Sequence, residues 1–328
     1  MSRNRWKYLV RLGVSLGVLA IVYMSVDLAE LPTVLGRVSW QGALLVLVLY
    51  TVSQLLSAIK WQIFLREAGV RRSLRLVIRA YFFGMFVNTF GLGTLGGDVA
   101  RGMLLKPARG RRAAALATVV ADRLHGLLTL SLLAGGAILM VHPEHLTHLA
   151  LLLVIASAVT LIGSWWFGPQ LLTRIFPAEH RFGTAARNAA AAFPRSATAF
   201  GAATVVSLCS HVLQILVHVV IAHDLHAEIG IGYLFATVPV VNIAASIPVT
   251  INGLGVREAM YVLLFTPAGI SRELAVAFGA IWVVSVTLVG ALGGFLLPTG
   301  AIDETDSDES EATWANEELA LGERNASC

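Results

Sequence analysis

Charge is scarce in this chain. Only 13% of its 328 residues are Asp, Glu, Lys or Arg, against about 25% in a soluble domain, so a water-soluble globule is excluded. Cysteine is nearly absent. Cys209, in an apolar run, and Cys328 cannot build a disulfide framework or a zinc site. Cys328 also does not fit a prenylation signal, which needs its cysteine four residues from the end. No Gly-x4-Gly-Lys-Ser/Thr stretch occurs, so any transport energy must come from a gradient, a partner, or nothing at all. His142, His145 and His148 have no Cys or carboxylate at ligand spacing, and no metal or other cofactor is expected.

What is present is apolar: 56% of the residues are hydrophobic and the mean hydropathy is +0.75. Six runs approach the roughly 20 residues needed to cross a bilayer. They are about Tyr8–Val26, Trp40–Ile59, Ala113–Val141, His148–Phe167, Thr198–Ala222 and Leu274–Leu297. The first follows a basic start, but it lacks a small-x-small cleavage site and reads as a retained anchor. The pI near 9.3 does not indicate nucleic acid, because Lys and Arg sit in the short loops between apolar runs. Nine of the twenty acids lie after Ile302. Residues 303–328 therefore read as a disordered acidic tail on a membrane domain spanning 1–302.

Cations in short loops orient the spans. Arg3, Arg5, Lys7 and Arg11 put the N-terminus in the cytoplasm. Lys60, Arg66, Arg71, Arg72, Arg75 and Arg79 lie on one side of Ala80–Gly97, and Arg101, Lys106, Arg109, Arg111 and Arg112 on the other. Both ends of that segment are then cytoplasmic. About 18 residues are too few to cross twice, so the segment must dip in and return. His142–Thr147 and Ala222–Glu228 lack Lys and Arg and read as outside, whereas Pro169–Ala197 carries four arginines and reads as inside. With a cytoplasmic tail, Ile229–Phe265 enters and returns from the outside. The fold class is an all-α integral membrane protein. It has six full spans and two re-entrant broken helices, in two inverted-topology repeats of about 1–141 and 147–300.

A motif repeats in register with that symmetry. Asn88-Thr-Phe-Gly-Leu-Gly-Thr-Leu-Gly-Gly-Asp-Val-Ala-Arg101 and Ser246-Ile-Pro-Val-Thr-Ile-Asn-Gly-Leu-Gly-Val-Arg-Glu258 superpose at an offset of 156 residues. Thr94 then meets Thr250, Gly97 meets Gly253, and Arg101 meets Arg257. Gly/Pro-broken apolar segments at matching places in two halves point to a transporter's binding site. Gly96, Gly97 and Arg101 offer amides and a guanidinium fork to phosphate oxygens, with Asp98 orienting Arg101 or meeting a cationic headgroup. The competing reading is a turn with an anchoring arginine. Asp122 and Arg123, near His125, lie well inside an apolar run, where charge is costly and usually faces the bundle interior. If the span starts nearer Leu124, the pair is interfacial instead.

Ser207, His211, Gln214 and His218 share one helical face as candidate path lining, or serve as ordinary interhelical hydrogen bonders. Arg257 and Glu258 begin a half-helix after Gly253 and Gly255, aimed at an anion or paired with each other. Trp40, Trp61, Trp165 and Trp166 fall at span ends and read as interfacial anchors.

These residues resemble the transmembrane family shared with lysylphosphatidylglycerol synthase/flippase proteins. The shared pattern is Asn88 with Gly96-Gly97-Asp98 and Arg101, then Asp122-Arg123, then Pro248 with Gly253, Gly255, Arg257 and Glu258. It matches in order and spacing over roughly residues 5–300. Leu92 departs from it, standing where the family usually has proline, so Gly91 and Gly93 would shape that turn. The resemblance implies leaflet-to-leaflet movement of a lipid, typically an aminoacylated phospholipid, and two re-entrant helices. Because only the acidic tail follows Ile302, aminoacyl transfer is not expected, and the chain reads as a transporter rather than an enzyme. The expected partner is a membrane phospholipid in the plasma membrane of a prokaryote, with both termini cytoplasmic. Two rivals remain: a membrane transferase using a polyprenyl-phosphate or phospholipid donor, and a non-catalytic partner whose tail recruits a lipid-modifying enzyme.

Overall fold

A computed structural model describes residues 3–27, 29–90, 94–105, 111–141, 148–180, 182–193, 196–247, 250 and 253–295. The acidic tail, the three-histidine loop apart from His148, and Pro248 lie outside the described residues. All regular structure among the described residues is helical. The order is α1 (Arg3–Met24), α2 (Leu31–Leu35), α3 (Trp40–Glu67), α4 (Leu74–Phe90), α5 (Thr94–Leu104), α6 (Arg112–Val141), α7 (His148–Ile175), α8 (Gly183–Ala191), α9 (Ala197–Asp224), α10 (Ile231–Ser246), α11 (Val256–Phe265) and α12 (Arg272–Phe295).

Five helices are long and apolar enough to span a bilayer: α3, α6, α7, α9 and α12. The first expected span appears as α1, whose apolar part Leu12–Met24 is shorter, and Ile231–Ser246 is a second short apolar helix. The long helices also run past their expected ends. Helix α3 continues to Glu67 rather than stopping at Ile59, and α7 continues to Ile175. Lys60 is therefore part of a helix and not of a loop. The apolar surfaces turned outward belong to a lipid-facing protein. On α7, Leu152, Val159 and Phe167 are each more than 60% exposed, a solvent in which Leu and Phe are at no disadvantage.

The packing brings helices distant in sequence together. Helix α3 runs against α9, α12 packs on α4, and α10 packs on α6. At the N-terminus of α3, Ser39 Oγ accepts from the Gly42 amide as an N-cap, and Asp224 at the end of α9 accepts from the Ser39 amide at 3.0 Å. Gly42 is what admits Asp224, since a Cβ there would stand 1.9 Å from Oδ2. Further along, the Ser57 and Ser210 hydroxyls meet at 3.0 Å, and Ser210 donates to the Ser53 carbonyl at 2.9 Å. The α12–α4 contact is equally close: a Cβ on Gly293 would lie 2.0 Å from the Phe82 carbonyl oxygen.

Candidate functional site

Helices α4 and α5 form a hairpin whose two arms nearly touch. A Cβ on Gly97 would lie 2.0 Å from the Gly84 carbonyl oxygen, so only glycine allows the approach. The Asn88 side chain accepts from the Gly97 amide at 2.8 Å and satisfies one of the free donors at the start of α5. Gly96 is different: its nearest neighbour would be Val87 at 3.9 Å, so the position has room for a side chain.

One turn further on, Asp98 and Arg101 enter an ion-pair cluster with α3 and α6. Asp122 pairs with Lys60 at 3.0 Å and with Arg101 at 3.0 Å, and the Lys60 ammonium also donates to the Asp122 carbonyl at 3.1 Å. Arg101 reaches Asp98 at 3.3 Å. Arg123 grips Asp98 through two nitrogens, Nε at 3.1 Å and Nη2 at 3.0 Å. Arg101 is 3% exposed and Asp122 4%, whereas half of the Arg123 side chain is open. The Arg101 guanidinium also lies over the rings of Trp61 (4.7 Å) and Tyr81 (5.0 Å), and its Nη1 is buried without a hydrogen-bond partner. Counted together, Lys60, Arg101 and Arg123 face Asp98 and Asp122, which leaves one positive charge in excess.

Lys60 and Trp61 are where the sequence misled. Lys60 looked like a loop cation that sets topology, yet it is 6% exposed against Asp122. Trp61 looked like an interfacial anchor, yet it is fully buried, donates to Thr118 and supports Arg101. Trp165 is likewise no simple anchor: its ring packs against Phe64, His125, Phe193 and Phe200. Trp40 and Trp166 do face outward. The available signal was the length of α3. A helix that continues for two turns past Ile59 carries Lys60 and Trp61 inward with it.

The second motif builds a separate site. Gly253 and Gly255 both have positive φ, 73° and 85°, and start α11. Glu258 Oε2 accepts from the Gly255 amide at 2.7 Å, and Arg257 donates to Asn242 Oδ1 at 2.6 Å. No ion pair joins Arg257 to Glu258 among the described contacts: the carboxylate caps its own helix while the guanidinium crosses to α10 and stacks on Trp282 at 5.2 Å. Glu258 is thus not joined to the Asp98–Asp122 network.

The polar face of α9 serves both sites. His211 donates through Nε2 to the Gly126 carbonyl on α6 at 3.0 Å. His218 donates through Nδ1 to the Gln214 carbonyl, so its Nε2 accepts from the Tyr261 hydroxyl at 2.5 Å on α11. Ser207 Oγ is buried without a partner. Tyr50 on α3 lies edge-on to Trp282 at 5.2 Å, the ring on which Arg257 stacks. No group of three potential metal ligands occurs among the described residues.

The model of the lysylphosphatidylglycerol synthase TM region matches residues 8–294. The chain belongs to this family. A relative is UPF0104 membrane protein PH1989 of Pyrococcus horikoshii, 24% identical over 326 residues, an alignment that covers 89% of this chain and 94% of the relative. The matched span contains both glycine–arginine motifs, the Asp122–Arg123 pair and Lys60.

Proposed function

We propose that the chain moves a phosphate-bearing lipid between the leaflets of a prokaryotic plasma membrane. Arg101 and Arg257 contact the phosphate from opposite sides. The observation that carries this reading is the buried Arg101, held over two aromatic rings in a cluster with one excess positive charge. The surplus charge is shared with the half-open Arg123, and a phosphate arriving there supplies the missing anion. Transport is preferred to catalysis because Asp98 and Asp122 are each held by two cations. A general acid–base pair needs a carboxyl group able to exchange a proton.

The proposed architecture is two inverted repeats, with α4–α5 and α10–α11 as re-entrant hairpins. Its support is the packing pattern. Helix α12 lies on α4 as α10 lies on α6, α5 lies on α6 as α11 lies on α12, and the second long helices α3 and α9 meet each other. Helices α4 and α5, with 17 and 11 residues, reach about 26 and 17 Å, each short of a bilayer of about 30 Å. Rocking of the halves would expose the site to alternate leaflets. Leaflet exchange of fluorescent phospholipids in liposomes tests the reading. Exchange should require the protein and collapse in both Arg101→Ala and Arg257→Ala. Exchange unaffected by either substitution would remove the arginines from the mechanism.

A further inference from the structure

We infer that the lipid carried is net anionic and amine-free, a phosphodiester or phosphomonoester headgroup, and that aminoacylated lipids are poor ligands; this rests on the lipid-transport reading. The argument is a charge count over both motifs. In the first site Lys60, Arg101 and Arg123 face Asp98 and Asp122; in the second, Arg257 on Asn242 and Glu258 on the Gly255 amide cancel in charge, so the total is +1. Each carboxylate is already engaged. Asp122 holds Lys60 and Arg101, Asp98 holds Arg101 and Arg123, and Glu258 holds the Gly255 amide. Among the described residues of the two sites, no carboxylate is left over to receive a primary ammonium.

A lysyl ester of phosphatidylglycerol brings one phosphate and two ammonium groups, so it would raise the local charge from +1 to +2. Phosphatidylglycerol would bring it to zero. Among the described residues, Arg101 Nη1 is a buried donor of the cluster without a hydrogen-bond partner, and a guanidinium N–H suits a phosphate oxygen. Along the first arm of the hairpin the trend continues. An open groove of about 460 Å³ is lined by Leu74, Arg75, Ile78 and Arg79, which adds two cations within three turns of Gly84 on the same helix.

The test compares three fluorescent lipids of equal chain length in liposomes holding the full protein: phosphatidylglycerol, phosphatidylethanolamine and lysylphosphatidylglycerol. Thermal stabilisation of the detergent-purified protein by each unlabelled lipid is measured beside it. Phosphatidylglycerol should exchange at least about tenfold faster than the lysyl lipid and stabilise more strongly. Arg123→Gln, which makes the cluster neutral, should shrink that ratio towards one, and Arg123→Lys should restore it. Equal or faster movement of the lysyl lipid, with equal or stronger stabilisation, overturns the inference while leaving transport intact. If folded protein moves none of the three, the transport reading falls, and the stabilisation series alone then decides the headgroup preference. Glycerol phosphate, the headgroup without acyl chains, should stabilise weakly. Stabilisation by it equal to that by phosphatidylglycerol would assign the site to a soluble phosphate and overturn the lipid assignment.

Discussion

Asp122 and Lys60 form one ion pair, yet removing one should cost far more than removing the other. Asp122→Asn leaves Lys60, Arg101 and Arg123 facing only Asp98, so the cluster goes from one excess positive charge to two. Both partners of Asp122 are almost fully buried, and stranding a buried charge costs about 3–5 kcal/mol. Lys60→Met instead leaves Asp122 paired with Arg101 and Asp98 paired with Arg123, a neutral set. Methionine also fills the lysine's volume, so the expected cost is about 1 kcal/mol or less, with a small gain allowed. Thermal unfolding in mild detergent reads the difference. At roughly 2 °C per kcal/mol, Asp122→Asn should lower Tm by about 6–10 °C and Lys60→Met by no more than about 2 °C. The double variant should lie nearer to Asp122→Asn with one positive charge removed, above the sum of the two single losses. If Lys60→Met proves as damaging as Asp122→Asn, the charge count is wrong, and with it the case for an anionic ligand.

Three further outcomes follow from the geometry. Gly97→Ala should cost at least the roughly 1–3 kcal/mol of an overpacked core, because the new methyl meets the Gly84 carbonyl; Gly96→Ala, with open space, should unfold within about 1 °C of wild type in the same melt. Tyr261→Phe removes the donor to buried His218 Nε2 and should lose about 1–3 kcal/mol, whereas His218→Phe combined with Tyr261→Phe should recover part of that loss in a double-mutant cycle. Asp224→Ala should cost about 1 kcal/mol through the weakened α3 cap, seen as faster hydrogen exchange at the first turn of α3 with little change at Lys60.

The apolar runs made the helices legible because length and hydropathy are local properties. All six expected spans coincide with helices, α1 being the shortest in its apolar part. The glycine-broken motifs were legible for a related reason: a close approach or a turn that only glycine permits leaves glycine in the sequence, as at Gly97 and Gly255. Lys60 was not legible, because burial of a lysine depends on where Asp122 of another helix lies, 62 residues away. The same holds for Arg257 and Glu258. Adjacent opposite charges invite a local pairing, but consecutive helical residues point about 100° apart, and here each found a backbone or cross-helix partner instead. The 4-3-4 spacing on α9 does not show that its residues divide between two neighbours, α6 for His211 and α11 for His218.

The Asp224–Ser39 contact gives the α3–α9 pair an uneven compliance. At that end a carboxylate, a hydroxyl and two amides tie the helices through a glycine that leaves no slack, and midway the Ser53–Ser57–Ser210 bonds add a lighter stitch. Lys60, about seven residues from the far end of α3, has its bonds to α6 rather than to α9. Helices hydrogen-bonded at one end and held at the other by apolar packing, as of Phe64 with Ala203, swing like the blades of shears. The least costly separation of this pair therefore widens towards Lys60 and leaves Asp224 nearly still.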